Sequence, residues 1–179
     1  MPPRPGRRRT GIQEGAAPRR LDRFDGARRS IARTSDSPDR TLAIGLAIGS
    51  LAPAGAVISL EGGLGAGKTL IAKGICAGLG VSDEVLSPSF ILAEEYAGVF
   101  PVFHFDLYRL ESVDEVARIG LFDAIDGRNV VIVEWGDRLP AGSLEPDVRI
   151  VLEITGGRSR SIAIEAPGVF LEALERSIS

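Results

Sequence analysis

The sequence predicts an α/β fold: a sheet flanked by helices, with an antiparallel hairpin at one edge. Three observations carry that reading. Short apolar runs rich in Val and Ile, such as Ala56–Leu60 and Asn129–Trp135, alternate with segments of helical spacing, the order expected of a largely parallel sheet. A glycine-rich turn, Glu61-Gly-Gly-Leu-Gly-Ala-Gly-Lys68-Thr69, joins one such run directly to a helix. Two alternating runs near the end, Val148–Ile154 and Ser161–Glu165, are separated by Gly156-Gly157 and read as the hairpin.

The elements follow in order. Residues 1–40 hold eleven arginines against five acids, a charge of +6 that leaves −9 for residues 41–179 within a net charge of −3. Residues 1–36 have few large apolar side chains and no sustained period, so they are expected to be a disordered, arginine-rich tail ahead of one domain at 37–179. Two readings of the tail are open. One is an arm that seeks tRNA phosphates; the other, favoured because nothing aromatic interleaves the arginines, is a dispensable extension. Ser37-Pro-Asp-Arg-Thr41 ahead of Leu42–Leu51 is a helix start. Ala56–Leu60 is a buried strand, and the helix after the glycine turn runs over about Lys68–Leu79 until Gly80. Ser87-Pro-Ser-Phe90 is a turn into a second strand that ends near Glu95. Val102–Tyr108 is a third, alternating strand. Ser112 with Glu115 three residues on is a capping-box pattern for a helix to about Ile119. Asn129–Trp135 is the most strand-like run, and Gly168–Ser177 forms a closing helix.

Composition narrows the chemistry. No apolar run is long enough to span a bilayer, which argues against an integral membrane protein, and the arginine- and proline-rich start lacks the apolar stretch of a secretory signal. The single cysteine, Cys76, fits a reducing, cytoplasmic compartment and reads as a buried structural thiol. The single histidine, His104, excludes any site that needs two imidazoles.

Gly62-x-x-x-x-Gly67-Lys68-Thr69 satisfies the phosphate-loop pattern, with a strand before it and a helix after it, which makes the expected sheet P-loop NTPase-like. Glycines let successive amides converge on phosphate oxygens, and the helix aims the positive end of its dipole at the same anion. Only two of the 21 basic residues are lysines, Lys68 and Lys73. Lys68 is a compact charge on a flexible stem, suited to reaching between β- and γ-phosphates where a planar guanidinium is not. Thr69 offers a hydroxyl to Mg²⁺. Hydrolysis also needs a carboxylate near the metal, and two stand at apolar strand ends: Glu134 after Val130–Val133, and Asp106 within His104–Tyr108. Either could hold Mg²⁺ while the other positions water. Arg109 is a candidate for neutralising γ-phosphate charge or a surface arginine, and Trp135 and Tyr108 read first as packing residues.

Gly-Leu-Gly-Ala-Gly-Lys-Thr, Ser87-Pro-Ser-Phe90, His104-Phe-Asp-Leu-Tyr-Arg-Leu110 and Val133-Glu-Trp135, in this order and spacing, resemble the TsaE (YjeE) family over about residues 37–165. The resemblance implies an ATPase of tRNA threonylcarbamoyladenosine synthesis that binds ATP and Mg²⁺, hydrolyses ATP slowly, and works with the TsaD and TsaB proteins. It implies that Gly65, Ala66, Gly67, Lys68, Thr69 and Leu70 line the phosphates, and that Thr69 and Glu134 hold Mg²⁺. Asp106 would be the hydrolytic acid, Ser87–Phe90 a switch-like loop sensing the γ-phosphate, and Trp135 a neighbour of the nucleotide. Two departures stand out: Leu70 replaces a second threonine, and Pro38 replaces an acidic residue near the adenine. The alternative, a small-molecule kinase, usually needs an arginine-bearing lid, and Leu110–Gly127 contains only Arg118. A GTPase would need an Asn-Lys-x-Asp motif, and the only asparagine is Asn129.

Overall fold

The computed structural model describes residues 26–89 and 91–178. Within them the chain runs β1 (Arg28–Ser35), α1 (Pro38–Leu51), β2 (Val57–Gly62), α2 (Lys68–Gly78), β3 (Ala93–Ala97), β4 (Pro101–Asp106), α3 (Val113–Arg118), α4 (Leu121–Ala124) and β5 (Val130–Glu134). A 3-10 turn (Gly136–Arg138), β6 (Val148–Ile154), β7 (Arg160–Pro167) and α5 (Gly168–Ile178) complete it. The strands form one sheet in the order β1-β7-β6-β2-β5-β4-β3. Its centre, β6-β2-β5-β4, is parallel, and antiparallel pairs close both sides. The α/β fold expected from the sequence is therefore present.

Local chemistry explains the elements. Ser37 caps α1 by accepting from the Arg40 amide at 3.3 Å, and Pro38 opens the first turn, where its missing N–H costs nothing. Ser112 caps α3 in the same way, while the Glu115 carboxylate reaches back to the Glu111 amide at 2.8 Å. Every residue of β5 is buried, as a central parallel strand covered on both faces must be.

Alternation along the strands sorts side chains onto two faces. One face packs Ile58, Leu60, Val102, Val130, Ile132, Ile150 and Ile164 under α1, α2 and α5. The other packs Phe105, Val131 and Val133 under α3 and α4. Helices α1 and α2 approach closely because glycines line their contact. A Cβ at Gly45 or Gly49 would fall on the carbonyl of Ile71 or Ile75, and one at Gly74 or Gly78 on that of Leu42 or Leu46. Cys76 is buried in that layer, and burial pushes its thiol up to about 12.

The tail boundary needs correction. Residues 28–35, expected to be disordered, form β1 and pair with β7 through eight register positions. The strand lacks an apolar period because it lies at the sheet edge. Ile31 packs on the core, while Arg28, Arg29 and Arg33 pair with Glu165, Glu172 and Glu175. Residues 1–25 lie outside the described residues. The β6–β7 hairpin is present, with β1 on its outer side. Helix α4, a single turn, was not anticipated. Among the described residues no helix is long and apolar enough to cross a membrane.

Candidate nucleotide site

The glycine loop leaves the C-terminal end of β2, and its backbone takes conformations that side chains resist: φ is +131° at Gly62, +73° at Gly65 and +112° at Gly67. At Gly62 the space is closed too, since a Cβ would meet the Leu152 carbonyl oxygen. Arg160 braces the loop from β7: its Nε donates to the Ala66 carbonyl at 3.0 Å and Nη2 to that of Gly65 at 3.4 Å. Holding the Ala66 carbonyl towards Arg160 turns the Gly67 amide of the same trans peptide the opposite way. Gly67 caps α2 without a side chain, so no side chain competes for the first-turn amides of Lys68, Thr69 and Leu70. Those amides and the helix dipole together suit an anion.

Lys68 is only 5% exposed, and its Nζ donates to the carbonyls of Gly62 at 2.7 Å and Gly63 at 2.9 Å. The same Nζ lies 3.3 Å from the centroid of the Trp135 ring, a cation–π contact. Burial lowers the Lys68 pKa, and the negative charges of Glu134, Asp137 and Asp106 oppose that effect. Trp135 adopts φ +63°, an uncommon conformation for so large a residue, anchored by its amide donating to Leu60 at 2.8 Å. Tyr108 backs the indole, with ring centroids 4.9 Å apart.

The strand-end acids arrive through register. Asp106 and Glu134 are direct partners on β4 and β5. By alternation both lie on the face that α2 covers. Thr69, in the first turn of α2, donates from Oγ1 to Glu134 Oε2 at 3.1 Å. His104 Nε2 lies 2.9 Å from Glu134 Oε1, and both side chains are buried. Asp106 is held by other groups: the Tyr108 amide donates to Oδ1 at 2.8 Å, and the hydroxyls of Ser87 and Ser89 donate to Oδ2 at 3.3 and 2.5 Å.

The structure thus brings Lys68, Thr69, Glu134 and Trp135 together, with Asp106 and Ser87 as an adjoining group. Leu70 faces elsewhere. With Ser37, Pro38, Thr41, Gly67 and Arg158 it lines a cavity of about 170 Å³ between α1, the glycine loop and the hairpin. Arg109 is exposed, and Phe90 lies outside the described residues. Three further residues contribute. Arg160 gives no local signal. Ser89 sat within the Ser87–Phe90 turn without a separate role. His104 could have been found from its spacing, two residues before Asp106 and so on the same strand face.

The donor set fits a nucleotide-bound Mg²⁺. Among the described residues no three His, Cys, Asp or Glu side chains form a self-sufficient metal cluster. A hydroxyl and one carboxylate beside an anion-binding loop are what Mg²⁺ uses when substrate phosphates supply further oxygens.

Comparison with known proteins agrees with the resemblance read from the motifs. The family profile of Threonylcarbamoyl adenosine biosynthesis protein TsaE matches residues 35–162. The chain is similar to the tRNA threonylcarbamoyladenosine biosynthesis protein TsaE of Treponema pallidum (strain Nichols), with 36% identity over 130 residues, 73% of this chain and 96% of that protein. It is similar to the protein of that name from Bacillus subtilis (strain 168), with 38% identity over 144 residues, 80% of this chain and 90% of the other. A crystal structure of Bacillus subtilis YdiB superposes with a TM-score of 0.69 at 32% identity, covering 87% of this chain and 100% of that one.

Proposed function

The chain belongs to the TsaE family of tRNA threonylcarbamoyladenosine biosynthesis proteins, and we propose that within that role it is a slow, Mg²⁺-dependent cytoplasmic ATPase acting on a TsaD–TsaB complex. One observation carries this reading. The first turn of the glycine-loop helix is joined to a strand-end acid by Thr69 Oγ1 and Glu134 Oε2 at 3.1 Å, and the Lys68 ammonium lies within reach of the Glu134 charge.

In this reading the amides of Gly65–Leu70 receive the phosphates, and Lys68 exchanges the Gly62 and Gly63 carbonyls for phosphate oxygens while Trp135 flanks it. Thr69 and Glu134 hold Mg²⁺, which supplies neutralisation of the charge on the phosphoryl oxygens. Asp106 positions the attacking water and accepts its proton. Ser87 and Ser89 bond to that same carboxylate, so a change in the 87–89 segment on nucleotide binding alters the acid directly. The adenine enters the cavity lined by Ser37, Thr41 and Arg158, with Pro38 where the family tends to place an acid and Leu70 in place of a second hydroxyl.

Incubation with γ-labelled ATP, with and without TsaD and TsaB, tests the proposal. Free phosphate whose release rises with the partners supports it; label appearing on a small acceptor molecule would make the protein a kinase instead. Capture of TsaD and TsaB that depends on ATP rather than ADP tests the partnership.

A further inference from the structure

A glutamate has one more rotatable bond than an aspartate, so a carboxylate serving a metal from Glu134 needs something to fix its rotation. His104 is placed to do so. Its side chain is fully buried, and its Nε2 lies 2.9 Å from Glu134 Oε1, while the other carboxylate oxygen accepts from Thr69. A carboxylate that serves a metal only accepts, so the contact requires the ring hydrogen on Nε2. The second ring nitrogen, Nδ1, is buried with no hydrogen-bond partner among the described residues. A histidine kept to satisfy core polarity would use both nitrogens; this one spends a single hydrogen bond, and spends it on the acid. The backbone beneath it is fixed on both sides, by Ile132 of β5 and Glu94 of β3.

Resting on the Mg²⁺–ATP reading above, we infer that His104 is a positioning residue: it clamps Glu134 Oε1 so that Oε2 stays turned towards Thr69 and the metal. Groups that orient a ligand in this way change metal affinity or activity by about 10- to 100-fold when removed. The clamp acts on the metal and leaves the phosphate grip of the loop untouched, because His104 contacts none of the loop residues by hydrogen bond.

The test uses the full chain with Mn²⁺ as probe, read by electron paramagnetic resonance in the presence of a non-hydrolysable ATP analogue. Two variants are compared, His104→Leu, which removes the donor, and His104→Gln, whose amide restores one. His104→Leu is expected to weaken Mn²⁺ binding by about 10- to 100-fold. Its affinity for the analogue in excess chelator stays at the wild-type value, and His104→Gln recovers most of the loss. Wild-type Mn²⁺ affinity in His104→Leu overturns the inference, as does an equal loss of chelator-insensitive analogue binding. Should neither variant fold, ¹⁵N spectra of the wild-type ring decide: a hydrogen on Nε2 that shifts when Mg²⁺ joins the analogue complex supports the clamp, and a hydrogen on Nδ1 overturns it. Wild-type protein that binds no analogue at all overturns the ATP reading together with the clamp; normal wild-type binding with an unaffected leucine variant overturns the clamp alone.

Discussion

Asp106 and Glu134 sit side by side as register partners on β4 and β5, yet their carboxylates are held by different groups. Glu134 is tied to Thr69 and His104, whereas Asp106 is tied to Ser87, Ser89 and its own turn at Tyr108. Under the proposed ATPase reading, the acid bound to the Ser87 and Ser89 hydroxyls is the one for the hydrolytic step, and the acid bound to the loop helix is the one for the metal. Asp106→Asn should therefore cut phosphate release by about 10²- to 10⁴-fold while ATP affinity holds. Parallel phosphate-release assays and nucleotide titrations check this; undiminished turnover in the variant would remove Asp106 from the chemistry.

Lys68 links stability to pH. Burial lowers its pKa below the ordinary 10.5, so the unfolded chain binds that proton more tightly than the folded one. The resulting penalty is fully present below the folded pKa and is relieved as pH rises towards 10.5. Lys68→Met is accordingly expected to melt at or above the wild-type temperature at pH 7, a stability gain at the cost of function. Calorimetry at pH 7 reads this out, and a variant that melts well below wild type contradicts it.

The α1–α2 seam places the glycine loop. A methyl group at Gly49 would strike the Ile75 carbonyl backbone, which no side-chain rotation can relieve. Gly49→Ala should cost about 1–3 kcal/mol, lowering the melting temperature by several degrees. A wild-type melting temperature would mean that the helices separate more easily than their packing indicates.

Strand β1 makes the start of the domain measurable. A chain beginning at residue 37 lacks the strand that pairs with β7 and the arginines that pair with Glu165, Glu172 and Glu175. It should melt below a chain beginning at residue 26. Equal melting temperatures for the two truncations would show that β1 adds nothing to stability.

The elements that the sequence announced are those with local signals. Ser37-Pro38 ahead of such spacing is a local helix-start signal, Gly67-Lys68-Thr69 carries its pattern in its own residues, and Val130–Val133 is apolar because both its faces are covered. β1 carried no such signal. Its stability comes from backbone pairing and ion pairs with residues far along the chain, and its own composition matches that of a solvated tail. α4 is a single turn, too short for a period. At the candidate site, the proximity of Lys68, Thr69, Asp106 and Glu134 was legible because a glycine-loop pattern and neighbouring apolar strand ends mark their positions. Arg160 was not, because its role depends on the hairpin folding back over the loop, and a lone arginine near two glycines says nothing of that.

The proposed activity rests on a triphosphate held by the glycine-loop amides and Lys68. Isothermal titration of ATP with Mg²⁺ into the wild-type chain and Lys68→Ala puts that grip to the test. Saturable binding to the wild type and none to the variant is expected; wild-type affinity in Lys68→Ala would rule the lysine grip out.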